Sequence, residues 1–519
     1  MALSKFKNEP LTDFTKPLNR KKQQAAIEKV RAELGKEYPI VIGGETVFLE
    51  NKFNSYNPSR ASEVVGIFQR GDEATAQKAM DTALARFEQW KDVPAKKRAE
   101  VLFKAAKLMR QRKLELNAVM MFEVGKTWPE ADADTAEAID FLEFYAREML
   151  RYGVEHPVVK NPGEKAKLVY VPLGVGVVVP PWNFALAILT GMTSAAIVTG
   201  NTVVLKPSSD SPLTGWKYYE IMEAAGLPAG VLNFVTGPGG AVGDTLVMHP
   251  KTRFVSFTGS KEVGVHINEA AAKVQPGQIW LKRVVAEMGG KDSIIVDEGV
   301  DLESATQGVL ASAFGFQGQK CSACSRVIVH AKIYDRFLDL LAKKADAIKV
   351  GDSVDPANYM GPVINSRSQE SIMSYIDKGL KEGGRLVAGG STAGDGGYFI
   401  RPTVIADVDP QATVAQEEIF GPVLAVIKAR DFDDGLRIAN NTEFGLTGAV
   451  YTKNQKRLKK AEKDFFVGNL YFNRKCTGAL VGVHPFGGFN MSGTDSKAGG
   501  KDYLLLFLQA KSIAEKVGR

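Results

Sequence analysis

"FGFQGQKCSACSRVIVH", residues 314–330, joins a loop-like stretch to a short β-branched run and holds Cys321 and Cys324, two of the chain's three cysteines. The run "RVIVH" lacks polar alternation, which suits a strand covered on both faces of a parallel sheet. In front of it, "GFQGQKC" supplies two glycines and two glutamines. Loops beside strand ends are where reactive groups collect. The C-x-x-C spacing admits a metal clip, a redox pair, or one working thiol with a bystander.

Working outward, β-branched runs alternate with amphipathic stretches from residue 174 on: "GVGVVVP", "TVVLKPS", "VLNFVTG" and "FVSFTGS". A second series follows "AEMGGKDS" (286–293): "DSIIVDEG", "RVIVH", "PVLAVIKA" and "TGAVYT", with helices such as "IYDRFLDLLAKKADAIKVG" between them. Strand–helix alternation predicts α/β architecture with parallel sheets, and two series predict two such domains. Upstream, "AELGKEYPIVIGGETV" predicts a short strand ending in a Gly turn. Residues 74–152 read as mostly helical, with one long 3.6-residue pattern over 98–126. "PVVKNPGEKAKLVYV" (157–171) reads as a hairpin turning at "NPG". The late run "YLLLFLQAKSI" is either a core strand or, with that hairpin, an arm that pairs with another subunit.

Composition excludes several function classes. Hydrophobic residues make up 45% and charged residues 24%, as in a soluble protein with a large core. The net charge of +7 comes from 66 basic and 59 acidic residues without a like-charged block, so no nucleic-acid arm is expected. "KFKNEPLTDFTKPLNRKKQQ" (5–24) shows no signal peptide, and no apolar run reaches the ~20 residues of a membrane span. The expected location is cytoplasmic, with neither nucleic acid nor membrane as partner.

A structural zinc site needs four ligands, and beyond the cysteine pair there are only Cys476 and five scattered histidines, so no metal is expected. A thioredoxin-like pair opens a helix, whereas this one precedes a strand. Two small buried hydrophobes remain the bland reading. Against it, a thiol in an amide-rich turn beside Lys320 is expected to gain thiolate and act as a nucleophile.

"GFQGQKC" and "AEMGGKDS" resemble the cysteine and glutamate signatures of the aldehyde dehydrogenase superfamily. "PPWNF" (180–184), "TVVLKPS" (202–208), "FTGSKEVG" (257–264) and "EEIFGPV" (417–423) follow the same family's order. The resemblance extends over nearly the whole chain. It implies an α/β fold with a Rossmann-type cofactor domain (1–150 and 171–286), an α/β catalytic domain (287–485) and a β oligomerisation arm (151–170 and 486–519). It also implies that Cys321 is the nucleophile, that Asn183 helps hold the oxyanion, and that Glu287 is the general base for hydrolysis. NAD is the implied cofactor, held by Trp182, Lys206, Ser209, Gly259, Ser260, Gly264, Glu418 and Phe420. Ser209 stands where many NAD-preferring members carry Glu, which leaves room for NADP. "FTGSKEVG" fails as a generic G-x-G-x-x-G fingerprint but places glycines at a helix N-terminus.

"NRKCTGALVGVHPFGGFNMSGTDSKAGGKDYL" (473–504), "FGFQGQKCSACSR" and "EADADTAEAIDF" (130–141) resemble the branch of that superfamily acting on L-glutamate γ-semialdehyde. The resemblance implies that Ser322 and the amides of Gly478 and Ala479 anchor the substrate carboxylate. Glu137, Phe184, Lys320 and Phe486 would line the pocket. On residues alone, Glu137 shares a helix face with Phe141 and Phe144, the lesser alternative being an acid favoured by the helix dipole, and Cys476 and the remaining histidines read as structural. A separate proline dehydrogenase upstream and a homo-oligomer, dimer or higher, complete the expectation. The alternatives are another semialdehyde or aliphatic aldehyde as substrate, or a non-catalytic binding protein on the same fold.

Overall fold

The computed structural model describes residues 4–517. Two seven-stranded sheets form its frame. In the first, Arg283–Glu287, Thr252–Thr258, Val175–Val179, Thr202–Leu205 and Leu232–Phe234 run parallel in that order, and Ile40–Ile42 and Glu45–Val47 extend it antiparallel. In the second, Thr403–Ala406, Val423–Ala429, Arg326–His330, Ser293–Val296, Thr447–Tyr451 and Asn469–Phe472 are parallel, with Arg385–Ala388 antiparallel at one edge. Both sheets are covered on two faces, which is why their strands are continuous apolar runs. Within Ser293–Val296, Ile294 and Val296 pack towards Val309 and Leu341, while Ile295 packs on the other side with Ile376 and Leu436. The predicted two-domain α/β architecture is what folds.

Helix starts follow capping chemistry. Asp72 accepts from the Thr75 N–H at 2.9 Å to open Glu73–Trp90, and Ser260, Asp301, Asn365 and Asp431 cap later helices. The single pattern expected over 98–126 is two helices, Ala95–Gln111 and Lys113–Val124. They part at Arg112 (φ −99°, ψ 10°), whose guanidinium reaches Glu115 and Glu220 instead of continuing the helix surface.

The predicted hairpin holds only at one bridge, where the chain folds back at "NPG" and His156 and Leu168 exchange backbone hydrogen bonds at 2.8 and 3.1 Å. "NPG" does turn, with the Glu164 N–H on the Asn161 carbonyl at 3.2 Å, but residues 157–160 form no strand. Glu164–Pro172 pairs instead with Leu508–Lys516 in an antiparallel ribbon, Glu164 opposite Lys516 and Pro172 opposite Leu508. Pro157 cannot donate to a ladder, and the tail offers a longer unbroken partner. The tail divides accordingly. Tyr503–Phe507 is a tight helical turn whose Tyr503, Leu504 and Phe507 are buried in the first domain's core, so among the described residues from 486 on only 508–516 forms the ribbon.

The first sheet presents the carboxyl ends of Val175–Val179, Thr202–Leu205 and Thr252–Thr258 to one crevice, where strand order reverses. Open parallel sheets bind ligands at such a point. The second sheet faces it with the segments that enter Ser293–Val296, Arg326–His330 and Val423–Ala429, which carry Gly290, Cys321 and Glu418.

Candidate active site

The loop carrying Cys321 is held in an uncommon shape. Phe316 and Gln317 adopt left-handed backbone at φ 50° and 57°, which costs non-glycine residues about 1–3 kcal/mol each. Polar ties hold it there: Gln317 Nε2 donates to the carbonyls of Gly125 (2.9 Å) and Pro362 (2.7 Å), and Gln319 Oε1 accepts from the Ile364 N–H at 2.9 Å. Gly290 passes so close that a Cβ there would lie 2.4 Å from the Cys321 carbonyl oxygen. In the sequence these two glutamines read only as loop amides, with no sign that they brace the loop.

Cys321 opens into a cavity of about 110 Å³, the share of roughly four liquid waters. Glu287, Ser322, Glu137, Phe184, Phe486, Gly478 and Ala479 share its wall, all of them singled out in the sequence. Phe141, Tyr145, Met192 and Tyr503 complete an apolar lining. Phe486 is pinned by a two-way backbone pairing with Ala498 (2.8 and 2.7 Å). The N–H groups of Gly478 and Ala479 have no protein acceptor among the described residues. Gly478 itself sits at φ +81°, a turn that favours glycine. His484, which the sequence left without a role, accepts the Leu480 N–H on Nδ1 at 3.2 Å and so braces the same loop.

Lys320 is a correction on two counts. It does not line the cavity, because its ammonium pairs with Glu130 at 2.9 Å. Nor does it favour thiolate at Cys321. Burial first, then the carboxyl groups of Asp292, Glu418 and Glu287, push that thiol well above the usual range. A base within the site is therefore needed. Glu287, at the end of Arg283–Glu287, accepts from Ser496 Oγ at 2.5 Å. Burial pushes its carboxyl up to about 8, against the opposing pull of Ser496, the Gly488 N–H and Lys497. Glu137 is likewise pushed up to about 8, by burial and then by Asp134. Several perturbed groups in one cleft mark a functional site.

Asn183 is buried at the carboxyl end of Val175–Val179, and its Nδ2 donates to the Gln319 carbonyl at 3.1 Å, two residues from Cys321. The N–H of Cys321 has no protein acceptor among the described residues. Trp182 stands edge-on to Phe420 and Phe316, with ring centres at 5.5 and 6.5 Å. Across the crevice, Glu418 Oε1 accepts from the Gly290 N–H at 3.0 Å, and a Cβ on Gly289 would collide with that carboxyl at 2.2 Å. Lys206 follows Thr202–Leu205, buried, with its nearest protein acceptor the Pro207 carbonyl at 3.5 Å. Ser209 lies exposed in the next turn. Gly259 and Ser260 lead into the helix Lys261–Ala272, where Gly264 packs so tightly that a Cβ would meet Met288 Sδ at 2.4 Å. A buried lysine with a spare ammonium, a helix N-terminus and a half-buried carboxyl thus line one crevice, the donors and acceptors a dinucleotide needs.

The aldehyde dehydrogenase family model matches residues 48–513. The chain belongs to the aldehyde dehydrogenase family. As a member it is an oxidoreductase. It is 57% identical over 510 residues to the 1-pyrroline-5-carboxylate dehydrogenase of Geobacillus sp. strain WCH70, covering 98% of this chain and 99% of that one. Among solved structures, 1-pyrroline-5-carboxylate dehydrogenase from Thermus with bound NAD is 50% identical at a TM-score of 0.98, covering 99% and 100% of the two chains. Proline utilization A (PutA) from Bdellovibrio bacteriovorus is 44% identical at a TM-score of 0.98, and there 99% of this chain covers 54% of the longer protein.

One further member of this aldehyde dehydrogenase's site carried no sequence signal. Lys126 is fully buried, ion-paired with Asp134 at 2.8 Å and 4.3 Å from the ring centres of both Phe184 and Phe316. In "EVGKTWP" it follows a helix-ending glycine and reads as a surface lysine. Its cation sits against Phe184 on the cavity wall and Phe316 in the loop that carries Cys321.

Proposed function

We propose that this chain oxidises L-glutamate γ-semialdehyde, the open form of 1-pyrroline-5-carboxylate, to L-glutamate with NAD. One observation carries the reading: a single small cavity holds a thiol, a carboxyl base and two unpaired backbone N–H groups on a glycine turn. Such N–H groups bind anions, and Ser322 beside the thiol adds a hydroxyl. An aldehyde with a carboxylate at its other end matches both features. The relatives from Geobacillus and Thermus are 1-pyrroline-5-carboxylate dehydrogenases, and the fold match to the NAD-bound Thermus protein supports the cofactor.

Glu287 takes the thiol proton of Cys321, and the sulfur adds to the aldehyde carbon. Charge then builds on the former carbonyl oxygen, where Asn183 Nδ2 and the Cys321 N–H donate. NAD, when bound in the crevice, supplies the hydride acceptor. Lys206 and Glu418 would hold its two riboses, with Ser260 and the glycines Gly259 and Gly264 at the helix start facing its phosphates. Trp182 and Phe420 would pack beside its nicotinamide end. Glu287 releases the thiol proton to solvent, and the thioester left on Cys321 is then hydrolysed by a water that Glu287 deprotonates; the carboxylic acid leaves and that second proton returns to the sulfur, restoring the thiol. Ser209 places no carboxylate at its turn, and Asp210 beside it accepts from Asn365 Nδ2 at 3.2 Å, so NADP is a second, weaker cofactor in this proposal.

A separate proline dehydrogenase supplies the substrate, the activity that the longer PutA chain suggests as its neighbour in sequence. The enzyme is a homo-oligomer, dimer or higher: the 164–172/508–516 ribbon is two strands with mostly exposed residues, an arrangement marginal without a partner. No helix among the described residues is long and apolar enough to cross a membrane. A cytoplasmic setting keeps the working thiol reduced. Incubation with pyrroline-5-carboxylate and NAD tests the proposal: glutamate and NADH should appear in equal amounts, and in Cys321→Ala neither should. Turnover persisting in that variant removes the mechanism.

A further inference from the structure

The N-terminal segment is stitched to the two walls of the substrate cavity, and nothing in the mechanism uses it. Asn8 makes the double tie. Its Nδ2 donates to Asp140 Oδ2 at 2.8 Å and to the Val481 carbonyl at 3.0 Å. Asp140 lies three residues from Glu137 on the helix Trp128–Tyr152, and Val481 lies two residues past Ala479. Neighbouring contacts hold the segment in place. The Glu9 N–H donates to Asp140 Oδ1 at 2.6 Å, and Thr12 donates twice to Asp132, both at 2.7 Å. Phe6 stands edge-on to Phe144 at 5.2 Å and closes over Gly482, where an added Cβ would lie 3.2 Å from its ring.

We propose that residues 6–8 are a positioning element for the carboxylate-anchoring loop, with Asn8 fixing the distance between that loop and the helix bearing Glu137. The inference rests on the proposed function and adds a specificity determinant to it. Cys321, Asn183 and Glu287 lie on other segments, so loosening this tie affects capture of the carboxylate and leaves the chemistry at the aldehyde carbon alone. A substrate without a carboxylate never engages the loop.

The test compares wild type, Asn8→Ala and Phe6→Ala with pyrroline-5-carboxylate and with hexanal. KM for pyrroline-5-carboxylate should rise about tenfold in Asn8→Ala, as expected for a lost polar tie, and should rise in Phe6→Ala as the same segment loosens. In both variants kcat for pyrroline-5-carboxylate, and kcat/KM for hexanal, should stay within about twofold. Equal losses on both substrates, or no change in variants of an enzyme that prefers the pyrroline, overturn the inference. A wild type without that preference overturns the reading of the site on which the inference rests, and the inference with it.

Discussion

Glu287 and Cys321 share a difficulty: burial keeps both protonated at neutral pH. A carboxyl pushed up to about 8 is active as a base only once deprotonated, so turnover is lost as pH falls through about 8 and rises above it. A plot of kcat against pH should climb between about 7 and 9, and a profile flat over that range contradicts Glu287 as the base. Glu287→Gln should slow hydrolysis by about 10²–10⁴ while a first burst of NADH survives. Rapid-mixing absorbance measurements separate the two steps. At this scale much was legible. A thiol in an amide-rich loop stood out by residue type, whereas Glu287 reads as an ordinary loop acid until the family resemblance marks it, and the same resemblance separates Cys321 from Cys324. Lys320 misled because adjacency in sequence says nothing of direction, and Glu130, 190 residues away in the chain, claims its charge.

Helix Trp128–Tyr152 shows what elements add. It brings Asp134, Glu137 and Asp140 to the site from one surface, and Asp134 both neutralises Lys126 and accepts from the Ala187 N–H at 2.6 Å. Asp134→Ala should cost about 3–5 kcal/mol, because Lys126 would remain a buried charge without its counterion. Urea unfolding measures it, and a loss below about 1 kcal/mol contradicts the pairing. The helix was readable from its 3.6-residue pattern. The break at Arg112 and the reduction of the hairpin at 157–171 to a single bridge were not, because both involve distant partners, Glu220 in one case and the strand Leu508–Lys516 in the other. Local pattern has no view of such pairings.

Across the molecule, the parallel α/β halves followed from the alternation of apolar runs and amphipathic helices. Their meeting at the crevice did not, since it depends on strand order within each sheet. The ribbon belongs to this scale too. Deleting 508–519 removes one of its strands, and light scattering should then report a smaller assembly than the full chain, with the same mass for both contradicting the ribbon's role. The cavity sets the central claim. A site built around unpaired N–H donors discriminates strongly against substrates that lack the matching acceptor. The decisive measurement is kcat/KM with NAD for pyrroline-5-carboxylate, succinate semialdehyde and hexanal on one preparation. The account predicts a preference for pyrroline-5-carboxylate of about a hundredfold or more over hexanal, and a clear preference over succinate semialdehyde. Equal or greater efficiency with either competitor would contradict it.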